Sequence, residues 1–320
     1  MKNALLVFLI AGIVGVGITP AAAADAEPKK KTHTAKKHTP RTAKSVRIKK
    51  TLHTQASKRG ASLVDAQHLA VRSSAALVLD QATGEVLFEK NPGAVLPIAS
   101  ITKLMTAMVV LDAKPDLREV LTIGKEDIDT LKGTRSKLRV GTRLEREEML
   151  RLALMSSENR AASALSRHYP GGHSAFMAAM NNKAKSLHLV DTHFEDPTGL
   201  TAANVSSPRD LAKMVDAAHQ YPLIREFSTA TDGDFSIAGR SRHFNNTNTL
   251  VKNKNWEIGL SKTGYISEAG KCLVMQAWVN NKPTIIVLLD SWGRMTRIGD
   301  ANRIKRWIES AALAGEGLPG

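Results

Sequence analysis

Pro97-Ile98-Ala99-Ser100-Ile101-Thr102-Lys103-Leu104-Met105-Thr106 is the stretch from which the fold can be read. Ile101, Leu104, Met105, Met108 and Val109 recur at the spacing of one helix face, and Pro97 stands just ahead of them, where its fixed φ and missing N–H suit a helix start. The pattern predicts a buried helix beginning close to Ser100 and running to about Asp112, with Lys114-Pro115 ending it. Lys103 lies one turn beyond Ser100 on the same side, because residues three apart are neighbours on a helix surface. An amine can take a serine proton only while it is neutral. Burial against an apolar face near the positive end of a helix dipole lowers a lysine pKa in that direction. Ser-x-x-Lys by itself is common, and it also describes a plain helix start with an exposed lysine.

Two further motifs follow in order. After the apolar run Met149 to Met155 comes Ser157-Glu158-Asn159, and Lys262-Thr263-Gly264 follows Ile258-Gly259-Leu260-Ser261. Each alone reads as a helix cap or a strand end. In the order Ser-x-x-Lys, Ser-x-Asn, Lys-Thr-Gly they resemble the serine penicillin-recognising enzymes, the penicillin-binding proteins and serine β-lactamases.

The chain has 320 residues and net charge +15, enough for one large core or two sub-domains sharing a cleft. Met1-Lys2-Asn3, the apolar run Ala4 to Ile18, then Pro20 and four alanines to Ala24, have the parts of a cleaved secretory signal, residues 1–24. The apolar run is short for a bilayer span, so no transmembrane segment is expected in the mature form. Residues 25–70 read as a basic, disordered linker. Lys and Arg are dense from Lys29 to Arg59, and no Asp or Glu occurs from Pro28 until Asp65, so no core can form there. It is either a solvated spacer or an electrostatic contact, through residues 29–59, with anionic envelope polymers; nucleic acid is not the expected partner of an exported chain. The single cysteine, Cys272, reads as an inert strand residue beside Leu273, Val274 and Met275.

From Val71 the chain reads as α+β. A hairpin is expected from Ala75–Leu79 and Glu85–Glu89, and short strands near Val120–Ile123 and Arg139–Gly141. Helices are expected over Leu144–Met155, Arg160–His168 and Ser174–Leu187, with another from the Ser207 cap and Pro208. Three strands follow, Glu257–Thr263, Cys272–Val279 and Thr284–Asp290, with a turn at Asn280-Asn281-Lys282. The last helix, Asp300 to Leu313, puts Ile304, Trp307, Ile308 and Ala311 on one face. The peptidase domain would span 71–314 and a flexible tail 315–320.

The resemblance implies a β-lactamase/transpeptidase-like fold: an antiparallel sheet flanked by helices, a helical sub-domain, and the active site in the cleft between. It implies Ser100 as nucleophile, Lys103 as base, Ser157 as proton relay, Asn159 as donor to the substrate amide, and Lys262 as a cation near Ser157. Thr263 would bind the substrate carboxylate, Gly264 would let substrate approach the strand, and the N–H groups of Ser100 and Tyr265 would bind the oxyanion. Arg297, or alternatively Arg294, would sit near the carboxylate. The stretch His243 to Asn248 would lie close to the sheet without a catalytic role. No metal or cofactor is implied. No Glu-x-x-Leu-Asn follows Asn159, and Glu158 reads as a solvent-facing acid at a helix start, which argues against a β-lactamase. The short form after Trp307, Leu154 to Ala162 and Lys262 to Tyr265 resemble most the D-alanyl-D-alanine endopeptidases, which cut D-alanyl-diaminopimelyl cross-links of peptidoglycan in the periplasm and are acylated by β-lactams. A D-alanyl-D-alanine carboxypeptidase shares every one of these residues and is the alternative; a non-catalytic envelope-binding relative is another.

Overall fold

The computed structural model describes residues 69–316, Arg294 excepted. The expected signal 1–24, the basic segment up to residue 68, Arg294 and residues 317–320 therefore lie outside the described residues.

The expected hairpin forms from β1 (Ala75–Asp80) and β2 (Val86–Lys90). Two short ladders pair β3 (Leu96–Pro97) with β6 (Val205–Ser206), and β4 (Val120–Thr122) with β5 (Arg143–Glu145). A hairpin of β7 (Asp232–Ile237) and β8 (Arg240–Asn245) precedes the long strands β9 (Glu257–Ile266), β10 (Gly270–Val279) and β11 (Lys282–Ser291). The main sheet has the order β2-β1-β11-β10-β9, antiparallel throughout. Its register, Ala75↔Leu289 to Asp80↔Thr284, joins the first strand to the last. The β10–β11 turn puts Asn280 and Asn281 at φ 51° and 59°, the paired left-handed geometry that suits a two-residue hairpin.

The described residues form seven helices, on the two faces of the sheet and in the insertion beside it: α1 (Lys103–Asp112), α2 (Arg146–Met155), α3 (Asn159–Arg167), α4 (Gly172–Ser186), α5 (Pro208–His219), α6 (Pro222–Thr229) and α7 (Thr296–Glu316). Alternation along the strands divides the apolar side chains between two cores. Leu77, Cys272, Val274, Ile285, Val287 and Leu289 face α1 and its helical neighbours, whereas Val78, Leu273, Met275, Ile286 and Leu288 face Ile304, Trp307 and Ile308 of α7. Cys272 is fully buried, and desolvation pushes its thiol up to about 11, which leaves it inert as expected. In α1 every residue from Lys103 to Val110 is buried, so this is a central helix rather than an amphipathic one.

Several expectations need correction. The helix that should begin near Ser100 begins at Lys103; Ser100 itself sits on a 3-10 turn, Ala99–Thr102. Arg139–Gly141 forms no strand; the partner of β4 is Arg143–Glu145, because Ile123 and Thr142 close the loop between them with a 2.9 Å backbone bond. The last helix starts four residues earlier than expected, at Thr296. That places Asp300 inside the helix, fully buried, where its carboxylate accepts from the N–H groups of Arg72 and Ser73 and from the Ser73 hydroxyl. Ala311 is exposed rather than on the packed face.

Candidate active site

The Ser100 turn is gripped from two sides. Gly264 of β9 passes so close that a Cβ there would lie 2.7 Å from the Ile98 carbonyl oxygen. On the other side Gly199, at φ +80°, comes so near that a Cβ would meet the Ala99 carbonyl oxygen at 1.9 Å. The turn is strained to match, with Ala99 at φ +48°, and so is Ser157, at φ +60°. Gly264 therefore has a reason beside the expected one: its missing side chain makes room for the nucleophile turn itself.

Lys103 is completely buried. Its Nζ lies 2.9 Å from Ser100 Oγ, 2.8 Å from Asn159 Oδ1 and 2.6 Å from the Thr198 carbonyl oxygen. The last two atoms can only accept. A neutral amine has two N–H groups and one lone pair, so both protons are taken by the carbonyls and the lone pair is left facing the Ser100 hydroxyl. Desolvation lowers Lys103 to about 7, against the opposing pull of the carboxylates of Asp196 and Glu158.

A second lysine completes the cluster. Lys262 Nζ donates to Ser157 Oγ at 2.9 Å and to the Thr263 carbonyl at 3.0 Å. Burial, then repulsion from Lys103 and Arg297, holds it well below the usual lysine range. Thr263 Oγ1 is 2.6 Å from Thr247 Oγ1, and the Thr247 N–H donates to the Met155 carbonyl, so the stretch before β9 is tied both to the strand and to the end of α2. Arg297, in the first turn of α7, donates to the carbonyls of Gly264 at 3.0 Å and Cys272 at 3.3 Å. Its guanidinium lies against the β9 backbone. The Tyr265 side chain is 61% exposed and carries Lys271 Nζ over its ring.

Ser100, Lys103 and Asn159 thus form one bonded group, and Ser157, Lys262 and Thr263 another. Three contributors, Gly199, Asn204 and Thr247, are not singled out by the sequence, and a fourth, Glu158, is read there in a different setting. Gly199 belongs to Asp196-Pro197-Thr198-Gly199, where Asp196 Oδ1 accepts from the N–H groups of Thr198 and Gly199, an Asx turn that the Asp-x-x-Gly pattern could have flagged. Asn204 is fully buried and donates to Thr102 Oγ1 at 3.0 Å, while its carbonyl accepts from the N–H of Ile98. Thr247 left no signal beyond a polar run. Glu158 was expected to face solvent; it is half-buried and accepts a short hydrogen bond from Ser136. The raised pKa of its carboxyl comes first from that burial. Among the described residues no three His, Cys, Asp or Glu side chains converge on a metal-sized site, and no helix is long and apolar enough to cross a membrane.

Comparison with known proteins gives the family. Residues 62–293 match the peptidase family described as D-alanyl-D-alanine carboxypeptidase. A D-alanyl-D-alanine endopeptidase of Pseudomonas aeruginosa is 49% identical over 243 residues, covering 75% of this chain and 78% of that protein. One of Escherichia coli is 46% identical over 261 residues, covering 81% and 84%. The crystal structure of the Streptomyces K15 DD-transpeptidase superimposes with a TM-score of 0.69 at 28% identity, covering 74% of this chain and 97% of that one. The sheet with its helical insertion is the fold of these peptidases, and the chain is a serine D-Ala-D-Ala peptidase that belongs to the D-alanyl-D-alanine carboxypeptidase family.

Proposed function

We propose that this protein is a serine D,D-endopeptidase that hydrolyses D-alanyl-diaminopimelyl cross-links of peptidoglycan. The observation that carries the chemistry is the environment of Lys103: two carbonyl acceptors and the Ser100 hydroxyl around a buried amine lowered to about 7. The lone pair of Lys103 takes the Ser100 proton as Oγ attacks the D-alanyl carbonyl. The N–H groups of Ser100 and Tyr265 hold the oxyanion, a kind of stabilisation typically worth about 3–4 kcal/mol per donor. Lys103 hands that proton on through the Ser157 hydroxyl, which Lys262 holds, to the leaving amine, whose departure leaves an ester on Ser100 and Lys103 neutral again. Water, activated by the same lysine, clears it. Asn159 has its Oδ1 committed to Lys103 and its amide nitrogen 3.0 Å from Thr134 Oγ1, which leaves that N–H₂ at the cleft wall to meet a substrate carbonyl. Thr263 and the charge of Arg297 favour a free carboxylate on the leaving residue.

The endopeptidase reading is preferred over carboxypeptidase because the relatives at 49% and 46% identity bear that name. That substrate lies outside the cytoplasmic membrane, in keeping with residues 1–24 as an export signal, and 29–59 would then be either an electrostatic contact with anionic envelope polymers or a solvated spacer. Labelled penicillin is expected to attach to wild type and not to Ser100→Ala; labelling of the mutant would remove Ser100 from its role. Purified protein is then given cross-linked peptide dimer and pentapeptide monomer in parallel. Cleavage of the dimer is expected. Free D-alanine from the monomer with the dimer intact would make it a carboxypeptidase, and no acylation at all would make it a wall-binding relative without catalysis.

A further inference from the structure

The loop between β4 and β5 is bonded to the second motif in an ordered way. Glu158 Oε1 accepts from the Ser136 hydroxyl, Asn159 Nδ2 donates to Thr134 Oγ1 at 3.0 Å, and Arg160 Nη1 donates to the Leu138 carbonyl at 2.8 Å. Three consecutive residues therefore reach three alternate residues of the loop. Ser136 is itself fixed, since its oxygen accepts from the Leu138 N–H at 2.9 Å, which directs its proton to Glu158. The loop borders a cavity of about 440 Å³ lined by Arg135, Ser136, Lys137, Ser156, Glu158, Phe244 and Asn245, so it forms a wall beside the catalytic motif. Lys137 donates to the His243 carbonyl and stands over the Phe244 ring.

Glu158 holds the middle loop residue of this fastening, Ser136, and it has no part in the proton transfers described above. We propose that Glu158 is a positioning residue that latches the loop Thr134–Leu138 onto the Ser157–Asn159 motif and, as the chain neighbour of Asn159, whose Oδ1 lies 2.8 Å from Lys103 Nζ, brings a carboxylate near that lysine. The proposal rests on Lys103 acting as the base. The charged groups acting on Glu158 are Lys103, Arg160 and Lys137; those on Lys103 are Asp196 and Glu158, with Lys262 close by. A carboxylate near Lys103 favours the ammonium form, so its charge sets where on the pH scale the base becomes available. The hydroxyl of Ser136, donating to the carboxylate, favours the ionised acid at that position.

Two variants separate latch from charge. Glu158→Gln keeps the reach to Ser136 and removes the charge; Glu158→Asp keeps the charge and is too short to hold Ser136. The measurements are penicillin acylation rate against pH, cleavage of cross-linked dimer, and tryptic nicking after Lys132, Arg135 and Lys137. In Glu158→Gln the midpoint of acylation shifts to lower pH, so that in acid it acylates faster than wild type, with nicking unchanged. In Glu158→Asp the midpoint stays, dimer cleavage falls several-fold and nicking accelerates. A midpoint that stays or rises in the Gln variant overturns the charge assignment. Unchanged nicking and dimer cleavage in the Asp variant overturns the latch, and that arm stands even if the Gln variant fails to fold. If wild type is not acylated at any pH, the peptidase reading itself fails, an outcome distinct from both.

Discussion

A lysine without solvent contact is costly to a fold when it is charged, and Lys103 lowers that cost by shedding its proton. The folded protein gives up this proton through about pH 7, whereas the unfolded chain keeps it to the ordinary value of 10.5. Between those values the unfolded state binds more protons, so stability rises with pH across the window, and below it the full penalty of the lowered pKa applies. Lys262, shifted the same way, adds to the slope. Urea unfolding at a series of pH values from 6.5 to 10.5 is expected to show this rise in wild type and a shallower one in Lys103→Met. An equal slope in the mutant would mean that Lys103 is not neutral in the folded protein. At this scale the sequence was informative where a residue type is chemically distinctive, as for Ser100, Lys103 and Lys262. It misread Glu158, because an acid at a helix start looks the same whether a distant serine covers it or water does.

The elements around Ser100 explain why the local pattern was legible only in part. Periodicity located α1 but not the tighter turn before it, because that turn is imposed from outside by Gly199 and Gly264, residues about a hundred or more positions away in the chain. The long strands β9 to β11 were readable because both faces are covered and their apolar runs are nearly continuous. The β7–β8 hairpin was not, since Arg240 to Asn245 has one buried side chain, Phe244, and so no alternation to detect. Gly199→Ala should expose the grip on the turn. The new Cβ would overlap the Ala99 carbonyl at a backbone conformation that alanine resists, and a destabilisation of about 2–4 kcal/mol is expected. Penicillin acylation should fall far more than stability would explain, because the Ser100 N–H and Oγ move with the turn. A folded Gly199→Ala protein that acylates normally would show that the close approach is incidental.

Over the whole molecule, chain order and spatial order diverge in a way that builds the cleft. The sheet closes by pairing β1 with β11, so the helices between the first hairpin and β9 form an insertion folded against one face, while Leu250 and Trp256, just ahead of β9, pack on the other with α7. The three motifs come from that face, its border and the sheet edge: Ser100 and Lys103 at the start of α1, Ser157 between α2 and α3, and Lys262 on the edge strand β9. Charge is segregated on the same scale. Most of the +15 comes from Lys and Arg between positions 29 and 59, ahead of the residues that carry the chemistry. A substrate that is a soluble peptide has no use for that charge, whereas an insoluble anionic wall would hold the enzyme near its cross-links and raise their local concentration. Such attraction between exposed charges is screened over about 8 Å at physiological ionic strength, so it must weaken with salt. The full chain, acylated with penicillin so that it cannot cut, is expected to sediment with purified sacculi at low salt and to be released at roughly 0.5–1 M, where screening shortens to a few ångströms. Replacing the basic residues of 29–59 by glutamine should abolish that salt-sensitive binding while turnover of soluble cross-linked dimer stays at the wild-type rate. If the neutralised chain sediments as well as wild type, the segment is a spacer and the wall is held by the cleft alone.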